Sequence, residues 1–318
     1  MAPAISARGL VKDYGRTRAL HDLDLDVAVG EVFGFIGPNG AGKSTTIRIL
    51  LDLLRPSAGT VQVFGRAPSD DGPALRARIG YLPGELSLPG RTDAGTYLRY
   101  LARLRAGRGM ERIPDLAERL TLDLSRPLRA LSKGNKQKVG LVQAFMHEPE
   151  LLVLDEPTSG LDPLLQHEFR LMTQEAHARG ATVFLSSHVL QEVEEVAGRV
   201  AIIRAGTIVG LDDVRTLRHR AGQDVLLRFD EGVDAAEFDS LPGVSQVEVA
   251  PGPDGTTTLT CLLTAPPDAL LHAAARHRVV RWQAHDRELE DLFIDYYRRE
   301  GPDTAGTHPT GAHEGSLR

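Results

Sequence analysis

The run GPNGAGKS at residues 37–44 decides the reading of this chain, because it meets the pattern G-x-x-x-x-G-K-[ST] at every fixed position. The flanks supply the context that pattern requires: VFGFI at 32–36 reads as a buried strand, and TTIRILLDLL at 45–54 reads as a helix stopped by Pro56. Glycines at Gly37, Gly40 and Gly42 let the backbone turn its N–H groups inward, and the helix start behind them adds partial positive charge. Both favour phosphate. An ordinary glycine-rich turn has no structural use for the Lys43-Ser44 pair, so the run is read as a nucleoside-triphosphate site. Lys43 then reaches the β- and γ-phosphates and Ser44 offers its hydroxyl to Mg²⁺, with Pro38, Asn39, Ala41 and Thr45 completing the binding loop.

The 318 residues suffice for one large nucleotide-binding domain and a smaller appendage. Basic residues number 37 against 43 acidic ones, a net charge of −6, so no global basic field argues for DNA or RNA and nucleic acid is not an expected partner. A single cysteine, Cys261, forms neither an internal disulfide nor a metal cluster and fits a reducing compartment. The first residues lack the apolar core of a leader peptide, and no stretch approaches the ~18 apolar residues of a membrane span. A membrane role would therefore depend on a partner.

Residues 5–12 and 22–28 read as early strands, the second alternating Leu23, Leu25 and Val27 with aspartates. A mostly helical insert runs from about 86 to 146, in which Tyr97, Leu98, Leu101 and Leu104, then Ile113, Leu116 and Leu120, form a core-facing stripe. Runs at 151–154, 182–186 and 200–203 alternate with helical segments, as in a parallel α/β sheet. From about 222 the pattern shifts to strands at 225–229, 245–249 and 257–263, a helix at 267–276, a strand at 279–284 and a helix at 286–299, an α+β appendage. The tail 301–318 holds too little apolar content to fold.

Further motifs accompany the loop. LLVLDE at 151–156 is an apolar strand ending in two carboxylates: Asp155 anchors Mg²⁺, and Glu156, turned to the other side by strand alternation, polarises the attacking water. LSKGNKQ at 131–137 leads into an apolar helix at 139–146, and Ser132 and Gly134 with that helix start make a second phosphate surface. In isolation Ser-x-Gly is a plain helix cap, and a second cradle is redundant unless it serves a neighbour. SGLD at 159–162 follows, and His188 lies just past the strand 182–186, at the edge where ligands gather in such sheets. Within this series His188 reads as a γ-phosphate contact rather than a core histidine.

Together GPNGAGKST (37–45), LSKGN (131–135), LLVLDEPTSGLD (151–162) and His188 resemble the ATP-binding subunit of an ABC transporter, over residues 4 to about 215. The resemblance implies an α/β fold, a phosphate-loop NTPase domain of ABC type with a helical insert (1–217) and a small C-terminal α+β domain (218–300). It also implies Tyr14 stacked on adenine, Asp162 in the nucleotide site, and two subunits, alike or different, closed head-to-tail on two ATPs. Lys43, Ser44, Asp155, Glu156 and His188 of one subunit would then face Ser132 and Gly134 of the other. By the same resemblance the subunit hydrolyses ATP with Mg²⁺ and drives a separately encoded transmembrane permease. It sits in the cytoplasm on the inner face of the membrane. LEDLFIDYY at 289–297 is similar to the branch serving ABC-2-type drug and antibiotic exporters.

Two departures stand out. Lys133 and Asn135 replace the usual Gly and Gln of LSGGQ, and Gly84 stands where the family has a Gln that touches Mg²⁺ or the attacking water, with Glu85 as the neighbouring substitute. A soluble ABC ATPase acting on ribosomes or DNA would predict tandem cassettes or a long coiled coil, and the chain has one cassette and no sustained heptads. A module that holds ATP without turnover is opposed by Glu156.

Overall fold

The computed structural model describes residues 2–287 except 71, 89, 91, 253 and 254. An antiparallel pair, β1 (Ile5–Tyr14) and β2 (Thr17–Val27), precedes β3 (Val32–Ile36), the phosphate loop and α1 (Lys43–Leu50). β4 (Ala58–Val63) pairs with β1, giving a three-stranded sheet in the order β2-β1-β4. After α2 (Gly72–Ala77) and β5 (Ile79–Leu82) comes the insert, with α3 (Ala94–Leu104), α4 (Ile113–Arg119) and α5 (Lys133–Phe145). Then follow β6 (Leu151–Asp155), α6 (Pro163–Ala178), β7 (Thr182–Ser187), α7 (Leu190–Glu194), β8 (Arg199–Arg204), β9 (Thr207–Asp213) and α8 (Val214–Ala221). β5-β6-β7-β3-β8-β9 form one sheet, parallel throughout except for the last strand.

Every residue of β3, β6 and β7 is buried, as befits strands covered on both faces. The two-residue period splits their side chains between two cores. Val32, Ile36, Leu152, Leu154, Val183 and Leu185 meet the helices of the insert and α6, whereas Phe33, Phe35, Val153 and Phe184 meet α1 and the three-stranded sheet. Phe184 stacks on Phe33 at 5.9 Å and tilts against Phe35 at 5.4 Å, and each such buried ring contributes roughly 1.5–3 kcal/mol. The central strands are thereby clamped, and the loops at their carboxyl ends start from fixed points.

The remainder of the described chain builds a second sheet from β10 (Gln223–Phe229), β11 (Val244–Pro251), β12 (Thr257–Leu263) and β13 (Val279–Asp286), all antiparallel, in the order β11-β12-β10-β13. α9 (Ala235–Asp239) and α10 (Asp268–Ala274) cover a core of Val225, Leu227, Phe229, Phe238, Leu259, Cys261 and Leu270.

Several elements differ from the sequence reading. α1 ends at Leu50 rather than 54, and strands β4 and β5 occupy stretches without a clear period. Leu104 is 65 % exposed, because it lies about a third of a turn away from Leu98 on the helix wheel; Ala102, one turn on from Leu98, takes the core position. The boundary expected at 217 falls inside α8, whose Val214, Leu217 and Ala221 pack in the core of the six-stranded sheet; Gly222, at φ 72°, then ends the helix and β10 begins. β13 runs through Asp286, where a helix was expected to start, and the rest of that helix, LEDLFIDYY and the tail lie outside the described residues.

Candidate functional site

β6, β7 and β3 are adjacent and parallel, so the loops leaving their carboxyl ends converge on one edge of the sheet. The loop after β3 is pinned by Gly37 N–H donating to the Ser187 carbonyl at 3.3 Å, and it closes on itself through Ala41 N–H to the Pro38 carbonyl at 3.2 Å. Gly42 stands at φ 112°, and a Cβ there would lie 2.8 Å from the Leu20 side chain, so the sharp entry into α1 requires glycine. α1 begins with no side-chain cap and no acid in its first turn, whereas α5 and α6 are capped by Ser132 and Asp162. Its opening N–H groups are thus left to an anion, which the helix dipole also favours.

Lys43 is 6 % exposed, with its ammonium 2.6 Å from the Gly37 carbonyl, 3.3 Å from that of Pro38 and 3.3 Å from Glu156 Oε1. These contacts hold the cation in the mouth of the loop, where phosphate oxygens can take the place of the carbonyls. Ser44 Oγ donates to Asp155 Oδ2 at 2.8 Å, and Ser186 Oγ donates to Asp155 Oδ1 at 2.5 Å. Ser44 and Asp155 therefore present two hard oxygen donors side by side, a donor set that fits Mg²⁺. Burial and the Asp155 carboxylate hold the neighbouring Tyr81 phenol above its ordinary pKa, so it remains a neutral wall of the cleft. A Cβ at Gly84 would lie 3.1 Å from Asp155 Oδ2, so any side chain at that position would press on the acid.

Glu156 corrects the alternation argument. Its φ of 51° is in the left-handed region, so the carboxylate does not turn to the opposite side but enters the same cleft as Lys43 and Asp155. Such a backbone costs of order 1–3 kcal/mol and persists only where neighbours hold it. Glu156 N–H donates to the Ser186 carbonyl at 3.0 Å, and Gln137 Nε2 donates to the carbonyls of Glu156 and Pro157 at 3.0 and 2.9 Å. Oε2 meets His188 Nδ1 at 2.7 Å, while Oε1 is buried, faces the Lys43 ammonium at 3.3 Å and accepts no hydrogen bond among the described residues. A buried carboxylate oxygen with an unused lone pair can take a proton from water.

The phosphate cleft, about 500 Å³, is lined by Pro38, Asn39, Gly40, Gly42, Lys43, Ser44, Thr45, Asp155 and Glu156, together with Tyr81, Gly84 and Glu85. His188 lines an adjoining cleft of about 510 Å³ that shares Asn39, Gly84, Glu85 and Glu156 and reaches Lys133 and Ser159. Ser132 and Gly134 line neither: Ser132 Oγ accepts from Asn135 N–H at 3.3 Å, and a Cβ at Gly134 would lie 2.6 Å from the Gly160 carbonyl. Asp162, expected at the nucleotide, instead accepts from Leu165 N–H at 3.1 Å and caps α6. Tyr14, expected on adenine, is 46 % exposed at the end of β1, with Lys12 Nζ 5.3 Å from its ring centre, and lines neither cleft. Sequence reasoning passed over Gln137, although a polar side chain in register with apolar Leu141 and Ala144 on α5 was a visible signal.

The profile of the ABC transporter family matches residues 20–159. The daunorubicin/doxorubicin resistance ATP-binding protein DrrA of Streptomyces peucetius is 36 % identical over 244 residues, covering 75 % of this chain and 74 % of its own. The Nod factor export ATP-binding protein I of Cupriavidus pinatubonensis is 31 % identical over 308 residues, covering 94 % and 93 %. A solved ATP-binding subunit of an ABC transporter superposes with a TM-score of 0.64 at 32 % identity, over 68 % of this chain and 92 % of that one. Among the described residues no helix is long and apolar enough to cross a membrane.

Proposed function

This chain belongs to the ABC transporter family as an ATP-binding, ATP-hydrolysing subunit, and we propose that it powers export of a drug, antibiotic or lipid-like substrate through a separately encoded permease. The observation that carries the mechanism is the buried Glu156 Oε1, which faces Lys43 at 3.3 Å and accepts no hydrogen bond among the described residues, in one cleft with Ser44 and Asp155. The loop N–H groups and the α1 start bind the phosphates, and Lys43 neutralises their charge. Ser44 and Asp155 would hold Mg²⁺, which supplies charge neutralisation on the transferred phosphoryl group. Glu156 orients a water and accepts its proton, and His188, hydrogen-bonded to the other carboxylate oxygen, fixes the rotamer of that base and faces the γ-phosphate. Ser132 and Gly134, set away from this chain's own cleft, serve the phosphates of a second ATP-binding subunit in a head-to-tail dimer. The subunit works at the inner face of the membrane, where the permease supplies the spans and the substrate contacts. Names of relatives support the export direction: one is a drug-resistance protein and one an export protein. The test is co-reconstitution with the permease in vesicles carrying a fluorescent anthracycline. ATP-dependent dye movement that Glu156→Gln abolishes is expected; wild-type hydrolysis with no movement of this dye, of an antibiotic panel or of a labelled lipid would refute the export role.

A further inference from the structure

Beyond the residues that meet nucleotide, one carboxylate ties together the two loops that carry Glu156 and His188. Glu192 Oε2 accepts from Thr158 Oγ1 at 2.5 Å and from Ser187 Oγ at 3.1 Å. Ser187 Oγ in turn accepts from Val189 N–H at 3.0 Å, so a chain of hydrogen bonds runs from the backbone after His188, through Glu192, to the segment after Glu156. Both hydroxyls are buried, Thr158 at 5 % and Ser187 at 0 % exposure, which makes their one acceptor costly to remove.

The platform that presents Glu192 is rigid. α7 buries Leu190 and Val193 against the sheet, and Val193 sits so close to β3 that a Cβ at Gly34 would lie 2.2 Å from its Cγ1. The same strand feeds the phosphate loop. Glu192 therefore hangs from a helix fixed to β3 and holds both catalytic loops in register with it.

We propose that Glu192 is a positioning residue for ATP hydrolysis: by accepting from Thr158 and Ser187 it sets the 2.7 Å meeting of Glu156 and His188. Gln137 holds the Glu156 turn from the α5 side, and Glu192 holds it from the α7 side. Glu192 lines neither cleft and touches no reacting atom, so its loss misplaces the base without removing any nucleotide contact. This inference rests on the reading that Glu156 is the hydrolytic base.

Steady-state hydrolysis and ATP binding are measured on the full chain for Glu192→Ala, Glu192→Gln, Thr158→Val, the Thr158→Val/Glu192→Ala double variant, and Glu156→Gln as reference. A misplaced base lowers the maximal rate about tenfold to a hundredfold. Glu192→Ala is expected to show that fall with ATP affinity within error of wild type and a melting temperature lower by only a few degrees, the cost of two buried hydroxyls left without their acceptor. Glu192→Gln retains an oxygen that accepts both hydroxyls and should recover most of the rate. Thr158→Val should mimic Glu192→Ala, and the double variant should add little to either, as two ends of one bond do. Wild-type turnover in Glu192→Ala, or Glu192→Gln no better than alanine, would overturn the proposal while leaving the base assignment intact. So would a rate loss matched by equal losses of ATP affinity and melting temperature, which marks a role in folding only. Glu156→Gln turning over like wild type would instead remove the base assignment, and the proposal with it.

Discussion

At the carboxyl edge of the parallel sheet, Lys43, Asp155 and Glu156 are buried or nearly so and draw partners from three neighbouring strand ends. In the appended sheet, His277 joins Glu231 at 3.3 Å and Glu237 at 2.9 Å beside the rings of Phe229 and Phe238, at the surface. The difference follows from strand direction. Parallel strands covered on both faces have room for polar groups only at their ends, where several loops meet and charge can be concentrated away from water. An antiparallel sheet with helices on one face leaves its charged groups in solvent, where pairing has modest consequences. Chemistry gathers in the first setting.

The comparison can be broken first at the helix starts. α1 is uncapped and α5 is capped by Ser132, so Ser132→Arg should reduce hydrolysis to background while ATP affinity stays within about twofold, because this chain's own phosphates lie on the uncapped helix. Equal loss of binding, seen by titrating a fluorescent ATP analogue, would place Ser132 in this chain's own cleft. Lys43→Ala should weaken ATP binding about tenfold to a hundredfold, the worth of a charge-assisted contact to phosphate. An unchanged affinity in the same titration would show that the loop is not the nucleotide site.

Two histidines sharpen the contrast through pH. His147, 3 % exposed at the end of α5, is pushed down to about 4 by burial and then by the nearby Arg105. The unfolded chain, at about 6.5, takes a proton that the fold refuses, so the cassette loses stability as pH falls below 6.5, on the order of 2 kcal/mol by pH 5. His147→Gln should flatten that slope in urea titrations between pH 5 and 7; an unaltered slope would contradict the burial argument. His277 is raised, first by its hydrogen bond to Glu237 and also by Glu231. Its contribution is full below the ordinary histidine pKa and lost as pH rises through the folded value, and as a surface pair it amounts to less than about 1 kcal/mol. Amide exchange in β10 and β13 should quicken slightly from pH 6 to 8 after correction for intrinsic rates, and His277→Gln should remove that trend; a trend that survives the substitution would assign it elsewhere.

The loop, the acidic pair and the buried strands 32–36, 151–155 and 182–187 were legible because each depends on a short run: a fixed spacing or an unbroken apolar stretch. β4, with one buried residue in six, carries no such run, and its pairing with β1 is a tertiary fact. The same limit hid the supports of the site. Gln137, Ser186 and Glu192 act across 19, 31 and 34 residues of sequence, through bonds that exist only once α5, β7 and α7 are docked. The direction of Glu156 was misjudged for a local reason: its positive φ interrupts the alternation from which its orientation was argued.

The central claim, that Glu156 is the base of an ATP site built by Lys43, Ser44 and Asp155, is tested most directly by measuring binding and turnover on one preparation of Glu156→Gln. The account predicts ATP affinity within a few-fold of wild type and hydrolysis lower by about 10²–10⁴, the worth of general-base catalysis. Hydrolysis near the wild-type rate, or a loss of affinity as large as the loss of rate, would contradict it.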